Sequence, residues 1–435
     1  MNHHVYADRR QRLLARLGDG VAIVPTAPEC LRNRDSHYPY RFDSYFWYLS
    51  GFPEPDAVMV LVGGVEPRAM LFCREKDAER EIWDGFRYGP AGAAETFGFD
   101  EAYPIDTLDE RLPDLLANRH LLWHSLGHDD DWDRRIAGAL NAVRARNRDG
   151  TRAPGEIRDL RGLLDEMRLI KDAREIDCLR HAAEITSAGH ARAMRACRPG
   201  MAEYELEAEL SHEFRRQGAA GHAYTPIVAG GVNACVLHYV DNSRRLAGDS
   251  LVLIDAGCEF SGYAADITRT FPVAGRFDPV QREVYEIVLA AQTAAIAALR
   301  PGASFADYHQ AALRVLSQGL IDLKALAGSV DDAIASAAYK PWYMHRTGHW
   351  LGLDVHDVGE YRGGADEQAW TVLRPGMVLT VEPGLYFRQS ANTPAHLQGI
   401  GVRIEDDVLI TADGCEVYTR APKTVAEIEE IMRHD

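Results

Sequence analysis

The chain reads as an α/β (α+β) protein in two domains, and three observations predict this. Apolar strand-like runs alternate with helical stretches over the first third of the chain. A helix, an Arg-Pro-Gly stop and a second helix then occur twice, with the stops at residues 198–200 and 300–302. Each copy is followed by an apolar strand that ends in a carboxylate, Asp255 in the first and Glu382 in the second. At 435 residues the chain also exceeds what one ordinary core organises.

In chain order, residues 5–17 carry the periodicity of a short amphipathic helix and 21–24 form a first strand. Further strands are expected at 57–62, 69–73 and 120–124, with a helix over 130–146. The stretch APGEIRDLRGLLDEMRLIKD closes this first domain, placing the domains at 1–172 and 173–435. The second domain carries a weak internal repeat. Helices over 173–197 and 203–217 flank Arg198-Pro199-Gly200, and helices over 279–299 and 305–316 flank Arg300-Pro301-Gly302. Asp278 before Pro279 is a good N-cap and N1 pair, and Ser304 with Asp307 resembles a capping box. Each half then supplies two acid-bearing strands. The first pair is 251–255, ending in Asp255, and a following strand with Asp266; the second is 377–382, ending in Glu382, and a following strand with Glu405. Two such halves facing each other bring four acids to one centre.

Composition narrows the function classes. With 48 basic and 65 acidic side chains the formal charge is −17, which repels phosphate backbones and argues against nucleic acid as a partner. The seven cysteines are scattered and form no CxxC pair, which fits small buried residues in a reducing compartment. The N-terminus MNHHVYADRRQRLLARL is charged and has no apolar signal core, and no run approaches the ~20 apolar residues of a membrane span. A cytoplasmic protein is the expectation.

In LVLIDAGCEFSGYAADITRTF, a tight turn centred between Phe260 and Ser261 sets Asp255 directly opposite Asp266, about 5 Å apart at Cβ on one face. Opposed carboxylates in apolar surroundings repel unless a cation lies between them; a partly solvated acidic turn is the plainer alternative. Glu382 precedes the turn signal Pro383-Gly384, and in GVRIEDD the period of two puts Arg403 on the face of Glu405. A buried Glu–Arg pair is the alternative there. The stretch HRTGHWLGLDVHD adds His345, His349 and His356. The i, i+4 spacing of His345 and His349 would suit a helical zinc site, but Arg346 stands where that motif needs Glu, and Gly348 and Gly352 disfavour a helix. WLGLDVHD instead alternates like a strand, with His349 at its entrance. Four carboxylates with one or two imidazoles suit two divalent ions, manganese first and cobalt or zinc next. Such a pair lowers the pKa of a bridging water to about 7, and amide hydrolysis is the natural reaction class.

The order Asp255, Asp266, His349, Glu382, Glu405 resembles the ligand set of the pita-bread metallopeptidases, and HRTGHWLGLDVHD resembles the motif of their proline-peptidase branch. DSHYPYRFDSYFWYLSGFPEPDAV and EIWDGFRYGP resemble the N-terminal part of the aminopeptidase P group, so the likeness spans essentially the whole chain. The resemblance implies a creatinase/prolidase-like N-terminal α/β domain, serving oligomerisation and one wall of the site, and a C-terminal pita-bread catalytic domain with a pseudo-twofold repeat. It implies hydrolysis of the N-terminal Xaa-Pro bond of peptides by a dinuclear metal centre with a bridging hydroxide. Asp255 would chelate one metal, Asp266 and Glu405 would bridge both, and His349 and Glu382 would bind the second. Glu382 would also act as general base, His356 would steady the oxyanion, and His238 would contact substrate. His345 would line the proline pocket together with Trp350 and His356, with core packing an equal reading of Trp350. Arg403 would support the ligands from behind, with Tyr386 and Asp35 in its hydrogen-bond network. Tyr224 would reach a metal-bound group, and Trp83 would reach a site in a neighbouring subunit of a dimer or tetramer, with a buried core Trp the equal alternative. Arg346 departs from the small residue common in the family at that place.

Three rival functions stay open at this point. A prolidase would cleave Xaa-Pro dipeptides and recognise the free proline carboxylate. A metal-free creatinase-like hydrolase would not need the five ligands. A non-catalytic peptide- or histone-binding module would keep the fold without them.

Overall fold

A computed structural model describes residues 4–363, 368–390 and 392–433. The chain forms two compact units, Met1–Met167 and Arg168–Asp435.

The N-terminal unit is built on a six-stranded mixed sheet. In spatial order its strands are Glu101–Pro104, Arg68–Cys73, Val58–Val62, Gly20–Pro25, Leu121–Trp123 and Glu156–Arg158. The hairpin of Val58–Val62 with Arg68–Cys73 is antiparallel and extends to Gly20–Pro25, while the outer strands join in parallel. Alternate residues Val21, Ile23, Val58, Val60 and Phe72 turn one face onto the helices Leu108–Leu116 and Asp130–Ala145, which bury Leu112, Leu116, Ile136 and Leu140 against them. The first expected helix is present as His4–Leu14, and the expected strands and the 130–146 helix are also present. Sequence reading leaves 74–119 without elements, whereas the structure has the helices Ala78–Asp84, Gly89–Phe97 and Leu108–Leu116 there, and an edge strand. The first two helices are short, and the third carries Pro113 inside it, a residue that reads as a break.

In the C-terminal unit the helix–stop–helix repeat holds. Ala173–Ala196 is followed by Glu203–Arg216, and Pro279–Ala298 by Asp307–Asp322. Asp278 caps as expected, accepting from the Val280 and Gln281 amides while Gln281 reciprocates. The Ser304–Asp307 box forms only in part. Asp307 accepts from the Ser304 amide at 2.8 Å, but Ser304 Oγ accepts from Ala306, so the helix begins at Asp307 and not at 305.

Each half contributes an antiparallel hairpin. Leu251–Asp255 pairs with Thr268–Pro272, and Val378–Val381 with Asp406–Ile410. The expected register of the first hairpin is corrected by one residue in the turn. Phe260 pairs with Tyr263, so Ser261 and Gly262 are the central residues, with φ of 53° and 87°. A two-residue turn with positive φ at both positions matches the twist of the strands, and glycine takes the second without strain. Asp255 therefore faces Thr268, and Asp266 lies diagonally from it. The slip moves one strand by two positions relative to the other, so both aspartates keep the same face. In the second hairpin the pairs Val381↔Asp406 and Gly384↔Arg403 set Glu382 opposite Glu405. The strand expected in WLGLDVHD is a single bridge, Trp350↔Leu379, followed by bends. No described helix is long and apolar enough to cross a membrane, and the seven cysteines are free thiols.

Candidate active site

The two hairpins and the HRTGHW loop converge on a cavity of about 820 Å³ within the C-terminal unit. All five expected ligands line it: Asp255, Asp266, His349, Glu382 and Glu405. Ligand atoms of Asp266, His349 and Glu405 lie within 4.8 Å of one another. His349 Nε2 is 3.4 Å from Asp266 and 3.7 Å from Glu382, and Tyr224 Oη contacts Asp255 at 2.6 Å and Asp266 at 2.5 Å. A hydroxyl has one proton, so the second of those short contacts needs a proton on a carboxyl or a cation in its place.

Gly348 brings the loop onto the second hairpin. A Cβ there would fall 2.0 Å from the Thr380 carbonyl oxygen, so only glycine lets His349 donate its amide to Thr380 Oγ1 at 3.1 Å. His349 Nδ1 then meets the Trp350 carbonyl at 2.9 Å. A carbonyl only accepts, so Nδ1 carries the proton, and Nε2 faces the acids with its lone pair available to a metal once the ring is neutral. Without a metal, burial pulls this imidazole down, but the hydrogen bond to Asp266 and the charges of Glu382 and Asp266 outweigh it and push the pKa up to about 9.

The carboxylates are crowded. Burial, followed by the other acids, pushes Glu405 well above the usual range, and burial pushes Glu382 up to about 7. Burial and the charge of Asp255 likewise raise Asp266. This donor set of like charges in an apolar wall fits divalent cations, which would relieve the repulsion and bind the oxygens.

A directed chain of hydrogen bonds stands behind the acids. Arg403 donates to Asp255 Oδ2 at 2.6 Å, to Thr268 Oγ1 at 3.2 Å and to Tyr386 Oη at 3.0 Å. Thr268 in turn donates to Glu405 Oε2 at 2.6 Å. His345 Nδ1 donates to the Arg346 carbonyl at 2.7 Å, so its Nε2 accepts from Tyr386 Oη at 2.8 Å. Burial, then the Arg403 charge, lowers His345 to about 3. This imidazole is neutral with both nitrogens engaged, and it lines the cavity. His238 and His356 also line the cavity, and His356 stands edge-on to His349 with centroids 4.3 Å apart. Burial and the neighbouring His349 lower the His356 pKa.

One expected substrate residue, Trp350, lies outside the cavity lining. Trp350 is fully buried and packs on Phe305 at 4.6 Å and Tyr361 at 5.9 Å, so it belongs to the core beneath the loop and not to the cavity wall. Trp83 is 81% exposed on the helix Ala78–Asp84 of the N-terminal unit. Asp35 is exposed in that unit, in the turn between Leu31–Asn33 and Ser36–His37, while the bonded partners of Arg403 given above come from the C-terminal unit. Thr268, Tyr361 and Asp407 are site residues that sequence reading passes over; Asp407 Oδ2 accepts the Asp266 amide at 3.2 Å. The signal for Thr268 was present, since it lies two residues beyond Asp266 on the same face.

Comparison with known proteins gives the same picture. Residues 177–412 match the model of metallopeptidase family M24, and residues 6–123 match the aminopeptidase P N-terminal domain. The chain is 45% identical to the Xaa-Pro aminopeptidase of Escherichia coli strain K12, over 98% of this chain and 96% of the relative. It is similar in structure to the aminopeptidase PepP of Pseudomonas aeruginosa, with a TM-score of 0.97 and 50% identity over 99% and 98% of the two chains. A Zn-substituted E. coli aminopeptidase P in complex with product matches with a TM-score of 0.96 and 44% identity, over 99% and 98% of the two chains. With its mixed α/β N-terminal domain and pita-bread C-terminal domain, this chain belongs to metallopeptidase family M24.

Proposed function

We propose that this protein is an Xaa-Pro aminopeptidase, a metallo-exopeptidase that releases the first residue from peptides with proline second. The observation that carries the reading is the meeting of Asp266, His349 and Glu405 beside a neutral, fully bonded His345 in one cavity. Asp255, Asp266, His349, Glu382 and Glu405 would hold two divalent ions, manganese by preference and cobalt or zinc as substitutes. When bound, the metals supply Lewis-acid activation of water and of the scissile carbonyl.

The chain's own groups do the rest. Glu382 takes the proton of the attacking water, and its burial favours proton uptake near neutral pH. His356 donates a hydrogen bond to the carbonyl oxygen as charge develops on it, and His238 contacts the substrate. The His345 ring forms an apolar wall for the proline ring, which lacks the N–H that ordinary peptidases grip. Arg403 and Tyr386 fix Asp255 and His345 and keep water from reorganising behind them. The N-terminal domain serves assembly into a dimer or tetramer, with Trp83 reaching the site of a neighbouring subunit, and free cysteines fit a cytoplasmic setting.

The test is one assay of an Xaa-Pro-Yaa tripeptide and an Xaa-Pro dipeptide, after chelation and with manganese, cobalt or zinc restored separately. Metal-dependent release from the tripeptide with little action on the dipeptide is expected. The opposite ranking makes the protein a prolidase, and turnover without metal sides with the creatinase-like alternative.

A further inference from the structure

Arg346 is the part of the histidine motif that the chemistry above leaves unused. Arg346 lines the same cavity as the carboxylates, and its guanidinium carbon lies 4.7 Å from the ring centre of Trp370. That indole is held from several sides. Arg362 covers it at 4.0 Å, Phe305 stacks with it at 6.4 Å, and Arg362 and Trp370 form an antiparallel bridge. Phe305 continues into contact with Trp350 and Tyr361, so the platform is anchored in an aromatic cluster.

A guanidinium held over an aromatic ring keeps N–H groups for a planar, two-oxygen acceptor. Among the described residues no ion pair occupies those groups. The cavity's other arginine, Arg403, is committed to Asp255, Tyr386 and Thr268. A short peptide carries an ammonium at one end and a carboxylate at the other. A cation in the same cavity that is not tied to the acids is a partner available to that carboxylate. An extended tripeptide spans about 10 Å, a length that a cavity of about 820 Å³ accommodates.

We propose that Arg346, oriented by the Trp370 platform, recognises the C-terminal carboxylate of short peptide substrates and makes the enzyme favour free-acid tripeptides over C-terminally blocked ones. This rests on the peptidase reading above and adds a specificity determinant to it.

The experiment compares kcat/KM for Ala-Pro-Leu and Ala-Pro-Leu-NH2 on the metal-loaded wild type, R346Q and R346K. The wild type is expected to favour the acid about tenfold, a charge-assisted hydrogen bond discounted for solvent. The difference should appear in KM, because the contact is the same in ground and transition states. R346Q should bring the ratio close to one, and R346K, charged but without the fork, should retain part of it. Both substrates are read on the same sample, so any loss of folded protein cancels in the ratio. A wild-type ratio near one, or an unchanged ratio in R346Q, overturns the proposal. Calorimetric binding of Pro-Leu and Pro-Leu-NH2 reads the same preference without turnover. If neither tripeptide is cleaved, the peptidase reading falls, while the binding ratio still decides for or against Arg346.

Discussion

Glu405 and Asp406 are neighbours in sequence and both are buried, yet the protein treats them in opposite ways. Glu405 faces Asp266 and Glu382, and burial together with those charges drives its pKa well up. Asp406 points to the other face of the strand. There Arg269 at 2.6 Å and Lys423 overcome burial and hold its pKa below the ordinary value. Asp357, between Lys171 at 2.9 Å and Arg168 at 2.6 Å, follows Asp406. The lesson is that burial alone does not mark a functional acid. What marks one is burial without enough matching positive charge from the protein, which leaves room for a metal ion.

The comparison can be broken at several points. Glu382→Gln should lower turnover about a thousandfold. It should also raise the thermal midpoint of the metal-free protein at pH 8, because it removes a carboxylate that ionises there against its surroundings; a lower midpoint contradicts the contrast. Asp406→Ala should do the reverse. It strands Arg269 in the core at a cost of about 3–5 kcal/mol, seen in denaturant melts and not restored by manganese. Arg403→Met touches the border between the two kinds of acid, and metal titrations should show affinity weakened about 10–100-fold.

The smallest effect is one of pH. The Glu382 pKa of about 7 lies above its ordinary value, so its contribution to stability is full at low pH and is lost as pH rises through about 7. Asp406 is held down, so its contribution is full above the ordinary carboxylate range and is lost only as pH falls through its depressed value. The midpoint gain on adding manganese should therefore be larger at pH 8 than at pH 5. Equal gains at both pH values would remove the crowded acids as its cause.

Much of the site was legible before any coordinates. Apolar strands ending in acids, repeated after two Arg-Pro-Gly stops, singled out Asp255, Asp266, Glu382 and Glu405. The turn at Ser261–Gly262 displaced one pairing without harm, because a two-position slip preserves the face of every side chain. Trp350 keeps two readings in the sequence because its partners Phe305 and Tyr361 come from other segments, and the motif around it looks the same whether the ring packs inward or toward a ligand. The helices between residues 74 and 119 escaped notice because they are short and one contains proline.

Sequence by itself determined the two-part α/β layout, the internal repeat, the groups competent for metal and proton chemistry and the face each occupies. These rest on periodicities of two and 3.6 residues and on caps, which act over a few positions of chain. Only the tertiary structure decided which acids are neutralised, which way the His345–Tyr386–Arg403 hydrogen bonds run, and that Trp370 lies under Arg346. Charge compensation is set by distance in space. The partners that settle it, such as Arg269 and Asp406, lie 137 positions apart, where no local pattern can pair them.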